Sequence, residues 1–372
     1  RAPERHQRGE TPQEGTQMTV DSVQTRTFIN KRRCTFRIAT GSSDMAENVV
    51  VKVVAGDDSG VGSASPSDVT HETVGSVEAF LAKVPRKIVG TEETDLSGLH
   101  RRLDAIAPGN TSAKAAVDMA VYDLLSRREK KPLYKYLGGS RGDSVLTDMT
   151  IGIESKEVTV QRALKHYKEG FRALKVKVGL DLGDDVRRVA AVRDAVGPMV
   201  QLRVDGNQGY TVEEAVAFCQ EMKTLDVVLV EQPVKAEDYA GLKRVKERSP
   251  VPIMADECVK DVADAKRVIK DRAVDLINIK LMKSAGIHDA TVINRLAAEA
   301  GIGTMVGCMG EIQLSIAAGL HFVLSSDNVR FADLDSHFNI IDDPSSGLEF
   351  TDGRLLAPRV PGLGIVTPFD EL

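Results

Sequence analysis

The chain has 372 residues, which is more than one hydrophobic core usually organises, so two structural units are expected. Its composition, with 42% hydrophobic and 28% charged residues, is typical of a globular protein. A net charge of −5 and a basic cluster limited to residues 31–33 argue against a nucleic-acid partner, because so short a cluster cannot follow a phosphate backbone.

The first residues of the chain are polar. Residues 1–17 contain too little apolar surface to offset the entropy of ordering, so we expect them to be disordered. They also lack the apolar core of a signal peptide, and no run of eighteen apolar residues occurs in the chain. No membrane partner and a cytoplasmic location are therefore expected.

The segment from residue 18 to residue 140 is predicted to form an α+β domain. Its clearest strand signal is the Val-rich run at residues 48–54, which a turn-forming stretch at residues 56–60 ends. Residues 112–130 place their apolar side chains on one helical stripe, and two glycines close this segment.

From about residue 145 the pattern changes to short β-branched runs that alternate with amphipathic segments, as in parallel βα units. Eight such strands are enough to close a parallel barrel. An open doubly wound sheet is the alternative, but no G-x-G-x-x-G loop follows the first strand. The predicted strands are residues 146–151, 173–178, 200–206, 227–232, 252–257, 275–281, 302–307 and 331–336.

The carboxyl ends of these strands, where a barrel carries its active site, are rich in charge. Asp205, Glu231 and Asp256 follow one another at intervals of about one βα unit, so they are expected at matching heights on adjacent strands. Taken singly, each acid could be a surface-loop residue. Three converging carboxylates require a cation, however, and an all-oxygen ligand set suits Mg²⁺.

Lysines flank this predicted metal triad. Alternation along the second strand puts Lys175 and Lys177 on one face, and Lys280 lies four strands further round. We expect nearby cations to lower a lysine pKa toward neutrality, which would make a general base of the side chain. A Lys-x-Lys pair alone is a weak signal, and the triad strengthens it.

Together these motifs resemble the enolase superfamily, in its muconate-lactonising-enzyme subgroup, and most closely the dipeptide epimerases. The similarity spans about residues 20–366 and is carried by residues 174–179, 204–209, 230–233, 255–257, 277–283 and 333–336. The resemblance implies an α/β fold in which a (β/α)₇β TIM-like barrel, residues 141–344, carries an α+β capping domain made of residues 18–140 and about 345–372.

The resemblance also implies roles for the charged residues. Mg²⁺ would be held by Asp205, Glu231 and Asp256, while Lys177 and Lys280 would be paired acid and base catalysts and Lys175 would support the developing negative charge. The implied reaction is epimerisation of an L,L-dipeptide at its C-terminal residue, by two-base removal of the α-proton through an ene-diolate. A homo-oligomer is expected.

The substrate-binding residues are predicted with less support from the motifs. Asp333 and Asp335 lie on one face of the last strand, where they are expected to bind the dipeptide ammonium group; Asp44 and Met309 are further candidates. The resemblance implies that a capping-domain loop at residues 39–47 contacts the second side chain, and that members similar to acidic-dipeptide epimerases carry an arginine in it. Here the loop contains none, and the nearest arginine, Arg37, lies before it in a stretch expected to be a strand. An apolar or cationic second side chain is therefore expected to be preferred over Glu.

Two other classes of function stay open at this point. A cycloisomerase, an o-succinylbenzoate synthase or an N-succinylamino-acid racemase of the same subgroup would use the same enolate chemistry on another substrate. A non-catalytic metal-binding protein would not need the two lysines, and deuterium uptake from D₂O distinguishes it from an enzyme.

Overall fold

A computed structural model describes residues 19–139 and 142–369 of the chain. The predicted disordered lead, residues 1–17, lies outside the described residues.

The described chain begins with a three-stranded antiparallel sheet in the order β1-β2-β3. Its strands are β1 (Ser22–Ile38), β2 (Gly41–Ala55) and β3 (Asp58–Ala64). The expected loop at residues 39–47 is wrong: Ile38 pairs with Gly41, so only two residues turn between the strands, and the rest of this segment belongs to β2. The segment is therefore the tip of a β-hairpin, which we call the cap hairpin (residues 22–55).

Five helices follow the antiparallel sheet. They are α1 (Val74–Leu81), α2 (Pro85–Ile88), α3 (Leu96–Asp104), α4 (Thr111–Arg128) and α5 (Leu133–Tyr136). Helix α4 packs closely on β3, since a Cβ atom at Gly60 would lie 2.1 Å from the Ala120 carbonyl oxygen. All residues from Ser112 to Ser126 are buried, so α4 is covered on every face and not only along the predicted stripe.

The short strand β4 (Ser144–Leu146) precedes eight parallel strands. Their hydrogen-bonded order runs from the last strand to the first without interruption, and the sheet curls. The eight strands are β5 (Met149–Ile151), β6 (Ala173–Lys177), β7 (Gln201–Asp205), β8 (Val227–Glu231), β9 (Ile253–Ala255), β10 (Leu276–Lys280), β11 (Gly303–Gly307) and β12 (Val329–Ala332).

One helix joins each neighbouring pair of these parallel strands. Five of them start at a Ser, Thr or Asp whose side chain accepts a hydrogen bond from the first turn, as N-cap residues do. The helices are α6 (Lys156–Lys168), α7 (Leu182–Val196), α8 (Val212–Thr224), α9 (Tyr239–Arg248), α10 (Val262–Asp271), α11 (Ile287–Glu299) and α12 (Gln313–Leu324).

The two ends of the parallel sheet meet. Thr147 forms a parallel bridge with Ala332, and its hydroxyl accepts a hydrogen bond from the Leu334 backbone N–H at 2.9 Å. The predicted first strand therefore divides, because β4 pairs with a different sheet and β5 alone joins the parallel one. The predicted last strand ends early, at Ala332, and a short 3₁₀ helix (Ser336–Asn339) follows.

The C-terminal part of the chain returns toward the N-terminal part. Strands β13 (Glu349–Thr351) and β14 (Arg354–Leu356) form a small sheet with β4. Beyond them, the Leu363 backbone N–H donates to the Asp123 carboxylate of α4 at 2.7 Å. Among the described residues, no helix combines the length and the apolar character that crossing a membrane requires.

Candidate active site

The charged side chains predicted from the strand ends lie on five successive strands, β6 to β10. Lys177 ends β6, Asp205 ends β7 and Glu231 ends β8, and the parallel register pairs Lys177 with Asp205 and Asp205 with Glu231. Asp256 follows β9 directly and Lys280 ends β10. The result is a row of three acids with one lysine at each end.

The three acids converge. One carboxylate oxygen from each of Asp205, Glu231 and Asp256 lies within 4.8 Å of the others, and all three residues are buried. Water cannot solvate these charges, so cations must neutralise them. Glu231 Oε1 accepts a hydrogen bond from Asn278 at 2.7 Å, and Oε2 forms an ion pair with the Lys175 ammonium at 2.7 Å.

Lys175 lies beneath this row and is completely buried. Its ammonium nitrogen is 2.7 Å from Glu231 Oε2, 2.8 Å from Asp333 Oδ2 and 3.2 Å from Asp205 Oδ2. Burial lowers the pKa of Lys175, but the carboxylates of Asp333, Glu231 and Asp205 outweigh burial and raise it well above its usual value. Lys175 is therefore a fixed positive charge.

The other two predicted lysines lie on opposite sides of the triad. Lys177 Nζ is 2.5 Å from Asp205 Oδ2, and Lys280 Nζ is 2.8 Å from Asp256 Oδ2. For Lys280 the expected lowering of the pKa by neighbouring cations is outweighed. Burial and the Lys175 charge lower its pKa, but Asp256, whose carboxylate is 2.8 Å away, and Glu231 raise it above the usual value.

A further lysine, which the sequence analysis did not single out, holds Asp256 in place. Lys283 Nζ is 2.6 Å from Asp256 Oδ1 and also donates to the backbone carbonyl of Asp256 at 2.6 Å. Its place in the motif at residues 277–283 was the available signal. Nearby, Asn207 donates to Glu257 at 3.1 Å; burial and the charges of Asp256 and Asp205 raise the pKa of Glu257 to about 7.

The acidic pair after β12 lies on the other side of Lys175. Asp333 Oδ2 pairs with Lys175, and Asp335 Oδ2 accepts a hydrogen bond from the Thr150 backbone N–H at 2.6 Å. Carboxylate oxygens of Asp148, Asp333 and Asp335 also lie within 4.8 Å of one another. Burial raises the pKa of Asp333, but Lys175 outweighs it, so the net shift is downward and Asp333 stays ionised.

A cavity of about 1070 Å³ lies between the ends of the parallel strands and the cap hairpin. Met309 lines it, as do the three predicted lysines, Asp256, Asp333 and Asp335. Asp44, the remaining predicted substrate-binding residue, does not line the cavity. It is exposed on β2, where its carboxylate accepts a hydrogen bond from the Thr35 hydroxyl at 2.5 Å. The cap hairpin instead contributes other residues to the lining, among them Arg32, Phe36, Ser42 and Ser43.

Residues 159–371 match the family model described as "Enolase C-terminal domain-like", and residues 19–138 match the N-terminal domain of mandelate racemase and muconate lactonizing enzyme. The chain belongs to the enolase superfamily, as a member of the mandelate racemase and muconate lactonizing enzyme family. The family predicted from the strand-end motifs is confirmed, together with an α/β fold that has a separate N-terminal capping domain.

Within this family, the chain is similar to several proteins named as dipeptide epimerases. The chain is 38% identical to the hydrophobic dipeptide epimerase of Enterococcus faecalis, over 94% of this chain and 99% of that protein. It is 39% identical to the L-Ala-D/L-Glu epimerase of Clostridium acetobutylicum, over 89% of this chain and 94% of that one. The solved structure of the Enterococcus faecalis dipeptide epimerase with Mg and L-Leu-L-Tyr superposes with a TM-score of 0.91 at 37% identity, covering 94% of this chain and 99% of that chain.

Proposed function

We propose that this protein is a Mg²⁺-dependent dipeptide epimerase, an isomerase that inverts the α-carbon of the C-terminal residue of an L,L-dipeptide. The observation that carries the proposal is the row on β6 to β10, in which the triad of carboxylates lies between Lys177 and Lys280. Epimerisation requires a proton to leave one face of a carbon and another to arrive on the opposite face. A row with one amine at each end supplies both groups.

The triad suits Mg²⁺. Asp205, Glu231 and Asp256 offer oxygen ligands only, and they are buried with one carboxylate oxygen of each within 4.8 Å of the others. A bound Mg²⁺ supplies positive charge that stabilises the negative charge developing on the substrate carboxylate. Lys175 adds a second, permanent positive charge beside the same carboxylates.

The two flanking lysines carry the proton transfers. One lysine, in its neutral form, takes the α-proton as the electron pair moves into the substrate carboxylate group. The other lysine, in its ammonium form, then donates a proton to the opposite face of the same carbon. Because Lys177 and Lys280 lie at opposite ends of the triad, exchanging their roles would run the reaction in the reverse direction.

Asp333 and Asp335 are proposed to bind the dipeptide ammonium group. Both are buried beside the cavity, and a charge-assisted pair with the substrate ammonium would add to the contacts that they make with Lys175 and Thr150. Met309 is proposed to contact substrate from the loop after β11. The second side chain of the dipeptide would face the cap hairpin, where Ser42 and Ser43 provide no cation to pair with Glu, so an apolar or cationic group is proposed to be preferred.

The finer architecture is part of the same proposal. The bridge between Thr147 and Ala332 supports a barrel closed as (β/α)₇β within residues 141–344. The hydrogen bond from Leu363 to Asp123 supports a capping domain formed by residues 18–140 and about 345–372. A homo-oligomer and a cytoplasmic location stay predictions from the sequence.

Deuterium exchange tests the proposal directly. L-Ala-L-Leu incubated with the protein and Mg²⁺ in D₂O is expected to gain one deuterium at the α-carbon of leucine and to yield L-Ala-D-Leu. N-succinyl-L-amino acids serve as the competing substrates. Exchange in those compounds but in no dipeptide would assign the protein to the racemases, and exchange in neither would exclude proton abstraction as its function.

A further inference from the structure

Two arginines of the cap hairpin, Arg32 and the exposed Arg33, line the cavity. Arg32 is partly buried on β1, and its guanidinium carbon lies 5.7 Å from the centre of the Phe36 ring. Its Nε donates to the Met45 backbone carbonyl at 3.1 Å. In residues 19–139 and 142–369 it forms no ion pair, in contrast with Lys175, which forms three.

The Arg32 side chain is directed toward the loop after β11. A Cβ atom at Gly310 would lie 2.6 Å from Arg32 Nη2, so the guanidinium occupies space that only glycine leaves free at position 310. The Gly310 carbonyl accepts a hydrogen bond from the buried Asn48 of β2 at 3.0 Å, which fixes this loop against the cap hairpin. The Arg32 guanidinium therefore lies against Gly310, at the loop after β11.

This position is at the ammonium end of the proposed substrate site. Cys308, which is two residues before Gly310, lies with its sulfur 3.7 Å from Asp335 Oδ1, so the loop that Arg32 contacts at Gly310 also contacts this carboxylate. On the other side, the Phe36 ring that lies near Arg32 is 5.9 Å from Lys177 Nζ. A dipeptide spans about 7 Å, so a substrate held at Lys177 brings its first residue within reach of Arg32.

The Arg32 guanidinium would repel the substrate ammonium group at this end of the site, unless the substrate also carries a negative charge there. Arginine stays protonated and its fork of N–H groups matches a carboxylate. We propose that Arg32 binds the side-chain carboxylate of an acidic N-terminal residue, so that the preferred substrates are dipeptides with Glu or Asp first and an apolar residue second. This inference rests on the proposed epimerase function, and it assigns Arg32 as a specificity-determining residue.

The test compares two substrates of equal size, L-Glu-L-Leu and L-Gln-L-Leu, which differ in the charge of the first side chain. The wild-type protein with Mg²⁺ is expected to show a kcat/KM at least about tenfold higher for L-Glu-L-Leu, as a charge-assisted contact implies. Arg32→Gln should bring this ratio to about one. Gly310→Ala keeps the charge but displaces the guanidinium, so it should also lower the ratio.

Arg26→Gln is the matched control, because Arg26 lies on the same strand and is exposed outside the cavity lining. It should keep the wild-type ratio. A wild-type ratio near one, with L-Ala-L-Leu epimerised normally, would overturn the assignment of Arg32 and leave the proposed function intact. A ratio unchanged in Arg32→Gln would do the same, since Arg32 would then only balance the charge of Asp335. No exchange with any dipeptide would overturn both.

Discussion

The ends of the parallel strands and the cap hairpin face each other across one cavity, yet they are built in opposite ways. At the strand ends every described lysine and acid of the row has a buried partner of opposite charge, as the pair of Lys280 and Asp256 shows. In the cap hairpin, Arg32 enters the cavity without an ion-pair partner among the described residues, and Ser42 and Ser43 offer neutral groups.

This difference separates two tasks. Charges that are paired within the protein have a fixed position, as proton transfer and metal binding require. Groups that are unpaired within the protein are free to pair with a substrate, as selection among substrates requires. We therefore assign chemistry to the strand ends and selection to the hairpin.

The largest effect is expected from removing the metal, which tests the chemistry assigned to the ends of the parallel strands. Exhaustive chelation is expected to reduce epimerisation to background and leave the protein folded, because the core of the parallel strands is apolar. Activity should return with Mg²⁺, and circular dichroism should show the fold throughout. Undiminished activity after chelation would remove the metal from the mechanism.

The two lysines provide the next largest effect. Lys177→Ala and Lys280→Ala should each lower the epimerisation rate by about 10²- to 10⁴-fold, because inversion needs an acid and a base on opposite faces. One half-reaction should survive: Lys280→Ala should still exchange the α-proton of one stereoisomer through Lys177, as NMR in D₂O would detect. Lys266→Ala, an exposed lysine on α10, is the control and should retain full activity.

The acidic pair should have an intermediate effect. Asp333→Asn or Asp335→Asn is expected to raise KM for dipeptides, because each variant loses a charge-assisted contact worth about 1.5–3 kcal/mol. Proton exchange in a carboxylate substrate without the ammonium group should change less, and steady-state kinetics on both substrates compares the two. Equal losses would show that the pair does not bind the amine.

A buried histidine outside both regions, packed between α12, α5 and the C-terminal segment, predicts how stability depends on pH. His321 of α12 accepts a hydrogen bond from the Tyr134 backbone N–H at 3.1 Å and lies 3.2 Å from the Leu363 carbonyl through its other nitrogen. Burial lowers the pKa of His321 to about 4. The unfolded chain therefore binds a proton more readily, and stability should fall as the pH decreases from about 6.5 toward 4.

The loss is at most about 3 kcal/mol, and urea unfolding at a series of pH values would measure it. His321→Gln should flatten this part of the profile, whereas His71→Gln, at an exposed residue, should not. An unaltered slope in His321→Gln would assign the acid sensitivity to other groups.

The same division explains how much the sequence could predict. Strand ends follow from periodicity, and parallel strands align their carboxyl ends, so the amino-acid sequence alone was enough to place Asp205, Glu231 and Asp256 together. Their catalytic roles stay predictions. Which side chain of a hairpin enters a cavity depends on tertiary packing and on the register of the turn. The prediction therefore chose Asp44, which is exposed, and missed Arg32.

The smallest expected effect concerns the second residue of the dipeptide. The tip of the cap hairpin lines the cavity with Ile38, Thr40, Gly41 and Ser42, a set that contains no cation. A glutamate side chain placed there would lose water and gain hydroxyl groups but no cation, whereas an apolar side chain would gain contact with Ile38. L-Ala-L-Leu should therefore be epimerised several-fold faster than L-Ala-L-Glu.

A mass-spectrometric screen of a dipeptide library in D₂O measures both at once, with L-Ala-L-Gln as the neutral control of equal size. Gly41→Arg, which adds a cation at the turn, should improve L-Ala-L-Glu relative to L-Ala-L-Gln. If the unmodified protein already prefers L-Ala-L-Glu, the second side chain does not face the hairpin tip, and Arg32 becomes the first candidate for its partner.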